Sequence, residues 1–283
     1  MKHSSLLKFY LLVIGFAITF CGCKKNGSSN GSTNASGGKY LTSQEVYLWS
    51  NGQWKKIIGK DAIGYDNDCY LNSVLSTVFD SVSGNWVNSG LVSKINNPNG
   101  TTANSTSQIW DSASNNWVNL QKSTYTYVNS DSGYSTWLIQ TWANGQWQNA
   151  SLSTASYNNN NQLVQVQSQR WDNATSMWIA FEETDNTYGS NGKLSQSLIT
   201  IPTSGITTYQ RSSYTYDGTG NLITILEEAA LYSPANWINE GTTTYSYNAD
   251  GHISSFIVQL WDQSNSIWVN DEKIVSSYSN SCH

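Results

Sequence analysis

Few side chains in this sequence could carry acid–base or metal chemistry. The chain holds 3 histidines; His3 and His283 lie at its ends, and only His252 falls within the body. A histidine-centred triad or a multi-histidine metal site is not expected, nor is a bound cofactor. Carboxylates cluster at Asp66/Asp68, Glu182/Glu183/Asp185, Glu227/Glu228 and Asp271/Glu272. Neighbours on a strand point to opposite faces, so adjacent glutamates do not form a catalytic pair. A glycosidase pair, with carboxyl groups about 5–9.5 Å apart, would have to be assembled from distant parts of the chain. Asp66-Asn67-Asp68 resembles the start of a calcium loop without the later Gly and Glu, and reads as turn chemistry. No catalytic residue and no metal ligand is nominated.

Aromatic surface is the abundant resource, with 13 Trp and 17 Tyr in 283 residues. Trp54, Trp86, Trp117, Trp147, Trp178, Trp237 and Trp268 recur at intervals of 32, 31, 30, 31, 59 and 31 residues, the long interval spanning a copy without its tryptophan near Ile206. A second aromatic precedes the anchor by seven residues in Phe79/Trp86, Trp110/Trp117, Trp171/Trp178 and Trp261/Trp268, and by five in Trp49/Trp54 and Trp142/Trp147. Such rings invite stacking against the apolar faces of sugars, with Asn, Gln and Asp supplying hydrogen bonds. Trp110, Trp117, Trp142, Trp147, Trp171, Trp178, Trp261 and Trp268 are the ligand-binding candidates. Their repetition favours a structural role, since cross-strand aromatic pairs stabilise a hairpin by up to about 1 kcal/mol each. Trp is amphipathic, so the two roles can coexist.

The elements that must position these rings follow from the period. Asn51-Gly52 and Asn144-Gly145 each sit between paired tryptophans, a strong hairpin signal because both residues tolerate positive φ. Tyr127, Tyr157, Tyr188, Tyr247 and Tyr278 come ten residues after an anchor, and a Gly or Asn follows several of them by four, as in Tyr188/Gly192 and Tyr247/Gly251. Those positions mark second turns at the opposite strand ends. The expected fold is all-β: an antiparallel meander of about eight ~31-residue hairpin repeats, making a curved sheet for which closure into a ring is one outcome. The faces of the strands are polar, as in Thr101 to Gln108 and in Gln165, Gln167 and Gln169, unlike the apolar band of a lipid-exposed barrel.

The N-terminus reads as a targeting segment. Lys2 and Lys8 precede an apolar stretch from Phe9 to Phe20, too short to span a bilayer. The run Phe20-Cys21-Gly22-Cys23-Lys24-Lys25 resembles the bacterial lipoprotein signal, with Cys23 as the lipidated residue. Residues 1–22 are thus the signal peptide, 23–38 the lipidated cysteine and a Gly/Ser/Asn tether, and 39–283 the β-repeat domain. Cys69 and Cys282 occupy equivalent positions in the first and last copies, each four residues after a tyrosine. In a closed ring they would be neighbours, and an exported protein can join them in a disulfide.

Tyr214-Thr-Tyr-Asp-Gly-Thr-Gly-Asn-Leu222 resembles the YD repeat of the Rhs/teneurin group, and Tyr245-Ser-Tyr-Asn-Ala-Asp-Gly-His-Ile253 is a weaker copy. Similar Trp/Tyr repeats occur in Bacteroidetes secreted proteins and lipoproteins, and the resemblance implies curved sheets of β-hairpins. This chain departs from the YD pattern in its paired Trp turns and in lacking the Arg before the first Tyr. Asp80-Ser-Val and Asp111-Ser-Ala resemble the short O-glycosylation sequon of Bacteroidetes. Charged residues make up only 12% of the chain and the formal net charge is −5, so a nucleic-acid partner is not expected. Together these features describe a lipid-anchored protein of the bacterial cell envelope, an outer-membrane lipoprotein. Its membrane contact is the N-terminal lipid, and its role is non-enzymatic binding of polysaccharide or of another envelope protein. The competing readings are a glycan-degrading hydrolase or lyase and a structural scaffold.

Overall fold

The computed structural model describes residues 39–128, 133–203 and 205–281, apart from the side chains of Lys56 and Ile57. The segments expected to be signal peptide and tether, with Cys23, and Cys282 lie outside the described residues. Sixteen antiparallel strands follow one another in chain order: β1 Tyr40–Ser50, β2 Gln53–Tyr65, β3 Leu71–Asp80, β4 Asn85–Asn96, β5 Thr102–Asp111, β6 Asn116–Tyr127, β7 Tyr134–Ala143, β8 Gln146–Tyr157, β9 Leu163–Asp172, β10 Met177–Tyr188, β11 Leu194–Thr203, β12 Ile206–Tyr216, β13 Leu222–Leu231, β14 Ile238–Tyr247, β15 Ile253–Asp262 and β16 Ile267–Ser279. Each pairs with the next, and β1 pairs with β16, so the sheet is a closed barrel. Closure removes both free edges of the meander.

The register repeats. Trp110 lies opposite Trp117, Trp142 opposite Trp147, Trp171 opposite Trp178 and Trp261 opposite Trp268. Three residues past the anchor an extra residue interrupts pairing with the preceding strand, at Ser89, Leu120, Ala150, Phe181, Glu240 and Asp271. The odd strands from β3 to β15 carry their own irregularity near the other end, as at Asn72, Ala103, Ser135 and Ser254. Bulges increase local twist and bend the strand, which is what a meander needs to curl into a ring.

Alternation along the strands separates two faces. One carries the Trp pairs; the other carries Tyr127, Tyr157, Tyr188, Tyr247 and Tyr278 at the opposite rim. Of the ten buried residues other than glycine, nine (Leu41, Gln44, Val46, Asp61, Ser123, Ser153, Ser168, Tyr245 and Ile274) lie on the tyrosine face, and Ala230 lies on the other. Side chains converge on the concave side of a closed sheet, so this burial assigns the tyrosine face to the interior. Among the described residues no large side chain is less than 2% exposed, and strands pack substantially only on their hydrogen-bonded neighbours. A ring of sixteen strands at about 4.8 Å spacing and roughly 40° tilt would be about 30 Å across if circular, wide enough for an aqueous lumen. The outward face is polar at mid-height, where Gln108 donates to Asn119 (3.0 Å), Gln140 to Asn149 (3.2 Å) and Gln259 to Asn270 (2.9 Å).

Candidate functional site

The Trp rim is built from hairpins whose turns fix the rings. In the longer turns a strand-end aspartate accepts backbone N–H groups: Asp111 from Ala113 (3.0 Å), Asp172 from Ala174 (3.0 Å) and Asp262 from Ser264 (2.9 Å). Hydrogen bonds from Ser114, Thr175 and Asn265 hold these three carboxyls below the usual carboxylate range. Left-handed residues close the turns, Asn115 (φ 52°), Ser176 (φ 53°) and Ser266 (φ 52°). The short turns use Asn51-Gly52 and Asn144-Gly145, with φ of 53° and 75°, and 53° and 76°.

Every candidate pair meets edge to face. Ring centroids are 5.0 Å apart in Trp110/Trp117, Trp142/Trp147 and Trp171/Trp178, and 4.9 Å apart in Trp261/Trp268, with interplanar angles of 62–69°. Trp49/Trp54 and Phe79/Trp86 repeat the arrangement at 5.0 and 5.5 Å. All eight candidate tryptophans are half-buried. Each pair therefore supports its own hairpin while leaving ring surface in contact with solvent.

Trp237 departs from the expected pattern. It precedes β14, outside the strand, and its ring lies beneath the Arg211 guanidinium at 4.2 Å. Arg211 in turn pairs with Glu228, Nη2 to Oε2 at 2.6 Å. The connection Tyr232–Trp237 contains Pro234 and a left-handed Tyr232 (φ 66°), so it does not form the tight turn that would oppose two indoles. Aromatic closure thus occurs in six hairpins rather than in every copy.

The opposite rim carries a ladder more regular than the aromatics alone suggest. The hydroxyls of Tyr65, Tyr127, Tyr157, Tyr188, Tyr216, Tyr247 and Tyr278 donate to the carbonyls of Leu41, Thr102, Tyr134, Leu163, Leu194, Leu222 and Ile253, at 2.7–2.9 Å. In the remaining hairpin Asn96 takes the role, its Nδ2 donating to Leu71 O at 3.0 Å. Asn96 gave no aromatic signal; only its place ten residues after Trp86 could have found it. Burial pushes the Tyr157 phenol up to about 12, so this ring stays a neutral donor in the ladder, and it raises the Tyr245 phenol to about 12 as well.

The turns at this rim share one geometry, in which Asp66, Asn158, Asp217 and Asn248 each receive two backbone N–H groups on Oδ1. Asp66 is thus engaged as a turn residue. Successive turns touch: Gln162 Nε2 donates to Gly192 O (2.9 Å), Lys193 Nζ donates to Gly220 O (2.7 Å), and His252 stacks on Tyr278 at 5.0 Å. Between two of them opens a cleft of about 470 Å³ lined by Asn158, Gln162, Asn186, Tyr188 and Gly192 among others. A smaller cleft of about 260 Å³ lies against Asn97, Asn99 and Tyr127. Cys69 occupies the left-handed position of the first such turn (φ 62°) and is disulfide-bonded.

Interior carboxylates meet other acids in two places, Glu227 near Glu240 and Glu272 near Asp61, whereas the three interior glutamates are separated from one another. Glu182, Glu227 and Glu272 stand on β10, β13 and β16, three strands or about 14 Å apart around the ring, too far for a glycosidase pair. Burial raises all three, Glu272 to about 7 with the Asp271 and Asp61 charges adding to the effect. Glu183 and Glu228 point to the opposite face from their neighbours, so the adjacent glutamates are not paired. Among the described residues no group of three or more His, Cys, Asp or Glu is placed to hold a metal ion.

No protein-family model matches the chain, and no curated protein matches its sequence. Among solved structures, a porin-like protein from Bacteroides uniformis is similar at 11% identity and a TM-score of 0.49, over 84% of this chain and 98% of that one. A Bacteroides fragilis protein of unknown function is similar at 14% identity and a TM-score of 0.38, over 44% of this chain and 89% of its own. The Tc holotoxin pore of Photorhabdus luminescens is similar at 12% identity and a TM-score of 0.28, over 78% of this chain and 13% of that one.

Proposed function

We propose that this protein is a lipid-anchored component of the bacterial cell envelope that binds polysaccharide without turning it over. The observation that carries the reading is the row of edge-to-face aromatic pairs along one rim. Sequence-adjacent pairs recur every second strand, about 10–12 Å apart along the rim, a step close to two sugar units of an extended glycan. Their flanks carry amides and hydroxyls together with one turn aspartate in each long hairpin, hydrogen-bonding groups that suit a hydroxyl-rich ligand. The amide-lined clefts at the tyrosine rim offer a second surface of the same chemistry.

Chain direction supports the anchoring part. β1 starts at Tyr40 on the tyrosine rim and ends at Ser50 beside Trp49, so a chain entering the body at Lys39 does so at the end remote from the Trp pairs. Lipidation at Cys23 would then leave the Trp rim free to meet a ligand. The repeat of turn, bulge and tyrosine is compatible with kinship to YD-type repeats.

Titration of the body with envelope and plant polysaccharides, read by tryptophan fluorescence, tests the binding. A saturable change with no release of reducing ends is expected. A flat signal with all of them would remove the glycan reading, and reducing-end release would replace it with an enzyme.

A further inference from the structure

We propose that the seam closing the barrel is proton-linked: a neutral Asp61 carboxyl donates to Gln44 Oε1, completing a row of side-chain bonds across β16, β1, β2 and β3. The register sets these groups side by side, Ser276 opposite Gln44, Gln44 opposite Asp61 and Asp61 opposite Ser76. Gln44 is 7% exposed and Asp61 is 6% exposed, on the interior face. Gln44 Nε2 donates to Ser276 Oγ at 3.2 Å, and Asp61 is hydrogen-bonded to Ser76. Gln44 Oε1 is left buried with no donor. An unsatisfied buried acceptor costs about 1–3 kcal/mol, and the Ser276 hydroxyl at the other paired position is engaged with Nε2 instead. A proton on Asp61 removes that cost.

The surroundings favour the neutral acid. β1 presents Gln44 to Asp61 and β3 presents Ser76, while Gly90 follows on β4. No cation faces it from these positions, because Lys60 and Lys273 stand on the outward face. Lys94, interior on β4, lies four residues from the Gly90 row and is itself pushed down by burial. Burial accordingly raises the Asp61 carboxyl. One turn along the seam, Glu272 has the same problem: its Oε1 is buried without a donor. It faces Val258 on β15 and Leu48 on β1, with Asp271 beside it on its own strand and Lys55 on β2 beyond Leu48 at the exposed mouth. Asp61 and Glu272 come from the two ends of the chain, and closure alone makes them neighbours.

The sign follows from linkage. A carboxyl raised in the folded state contributes stability below its ordinary range and loses it as pH climbs through the folded value. For Glu272 that window runs from 4.5 to about 7, a shift worth on the order of a hundredfold in the folding equilibrium. The thermal midpoint of the full chain is therefore expected to fall by several degrees between about pH 5 and about pH 8. Asp61→Asn supplies a permanent N–H to Gln44 and keeps an oxygen for Ser76, so its midpoint should fall less, and Glu272→Gln should remove much of the remainder. An Asp61→Asn protein as pH-sensitive as the wild type would overturn the proposal. Recovery of the high-pH midpoint by millimolar calcium, lost again with chelator, would overturn it in favour of a cation site. Should Asp61→Asn fail to fold, infrared spectra of protein carrying 13C-labelled aspartate decide: an isotope-shifted protonated-carboxyl band persisting above the usual Asp range supports the proposal, and a band without that shift, or no band, overturns it.

Discussion

Removing one aromatic pair separates scaffold from binding surface. Trp171 and Trp178 lie opposite each other, 5.0 Å apart and inclined at 67°. A fully buried Trp→Ala change costs about 3–5 kcal/mol. These rings are half-buried, so each single substitution should cost about 1.5–2.5 kcal/mol, lowering the midpoint of a body this size by roughly 3–10 °C. An edge-to-face pair adds about 0.5–1.5 kcal/mol of coupling. Trp171→Ala plus Trp178→Ala should therefore fall short of the sum of the singles by about 1 kcal/mol, because the second truncation removes a ring that has already lost its partner. Reversible urea denaturation of the four proteins in the cycle measures this. Strict additivity would refute mutual support between the rings. On the folded double mutant, glycan affinity should drop partially, since the other pairs keep their contacts and avidity is reduced rather than lost. Unchanged affinity per folded molecule would confine the pair to a structural role.

Other consequences can be checked in the same way. Tyr247→Phe should cost about 1 kcal/mol or more, whereas Tyr188→Phe should cost less, because Leu163 O also accepts Asn186 Nδ2 at 3.0 Å; urea midpoints compare the two. Gly100→Ala, at φ 83° and with a new Cβ driven into the Tyr70 ring, should destabilise by more than Gly52→Ala, which has φ 75° and open space around it; the latter should show only the left-handed backbone cost of about 1–2 kcal/mol. Non-reducing peptide mapping should recover Cys69 and Cys282 in one linked fragment, and Cys69→Ser should cost about 2–4 kcal/mol. Mapping that joins Cys69 to another cysteine would dismiss closure by that bond.

What the sequence disclosed was whatever repeats locally. The interval between Trp110 and Trp117, with Asp111 leading a polar turn, contains nearly everything needed to place two rings across a hairpin. Asn51-Gly52 does the same in fewer residues. The meander was legible for that reason, while its closure was not, since pairing of β1 with β16 depends on curvature summed over the whole sheet. Gln44 and Asp61 looked unremarkable because what makes them notable is burial at that junction. Trp237 misled for the opposite reason. Its spacing fits the period, but Pro234 and the longer connection before β14 redirect the ring toward Arg211, a choice made by tertiary contacts. Asn96 passed unnoticed because an amide can replace a phenol as a donor without leaving any aromatic trace.

The bulge that follows the anchor in six of the eight hairpins has an implication for size. If every hairpin bends the sheet by the same amount, two strands out of sixteen account for roughly 45° of the circle, and the diameter of the opening is a count rather than a packing outcome. Gene segments of about 31 codons would then act as a gauge. Loss of one would leave either a narrower ring under tension or a gap that a second molecule could fill, and gain of one would widen the aperture without a new side chain being needed anywhere else.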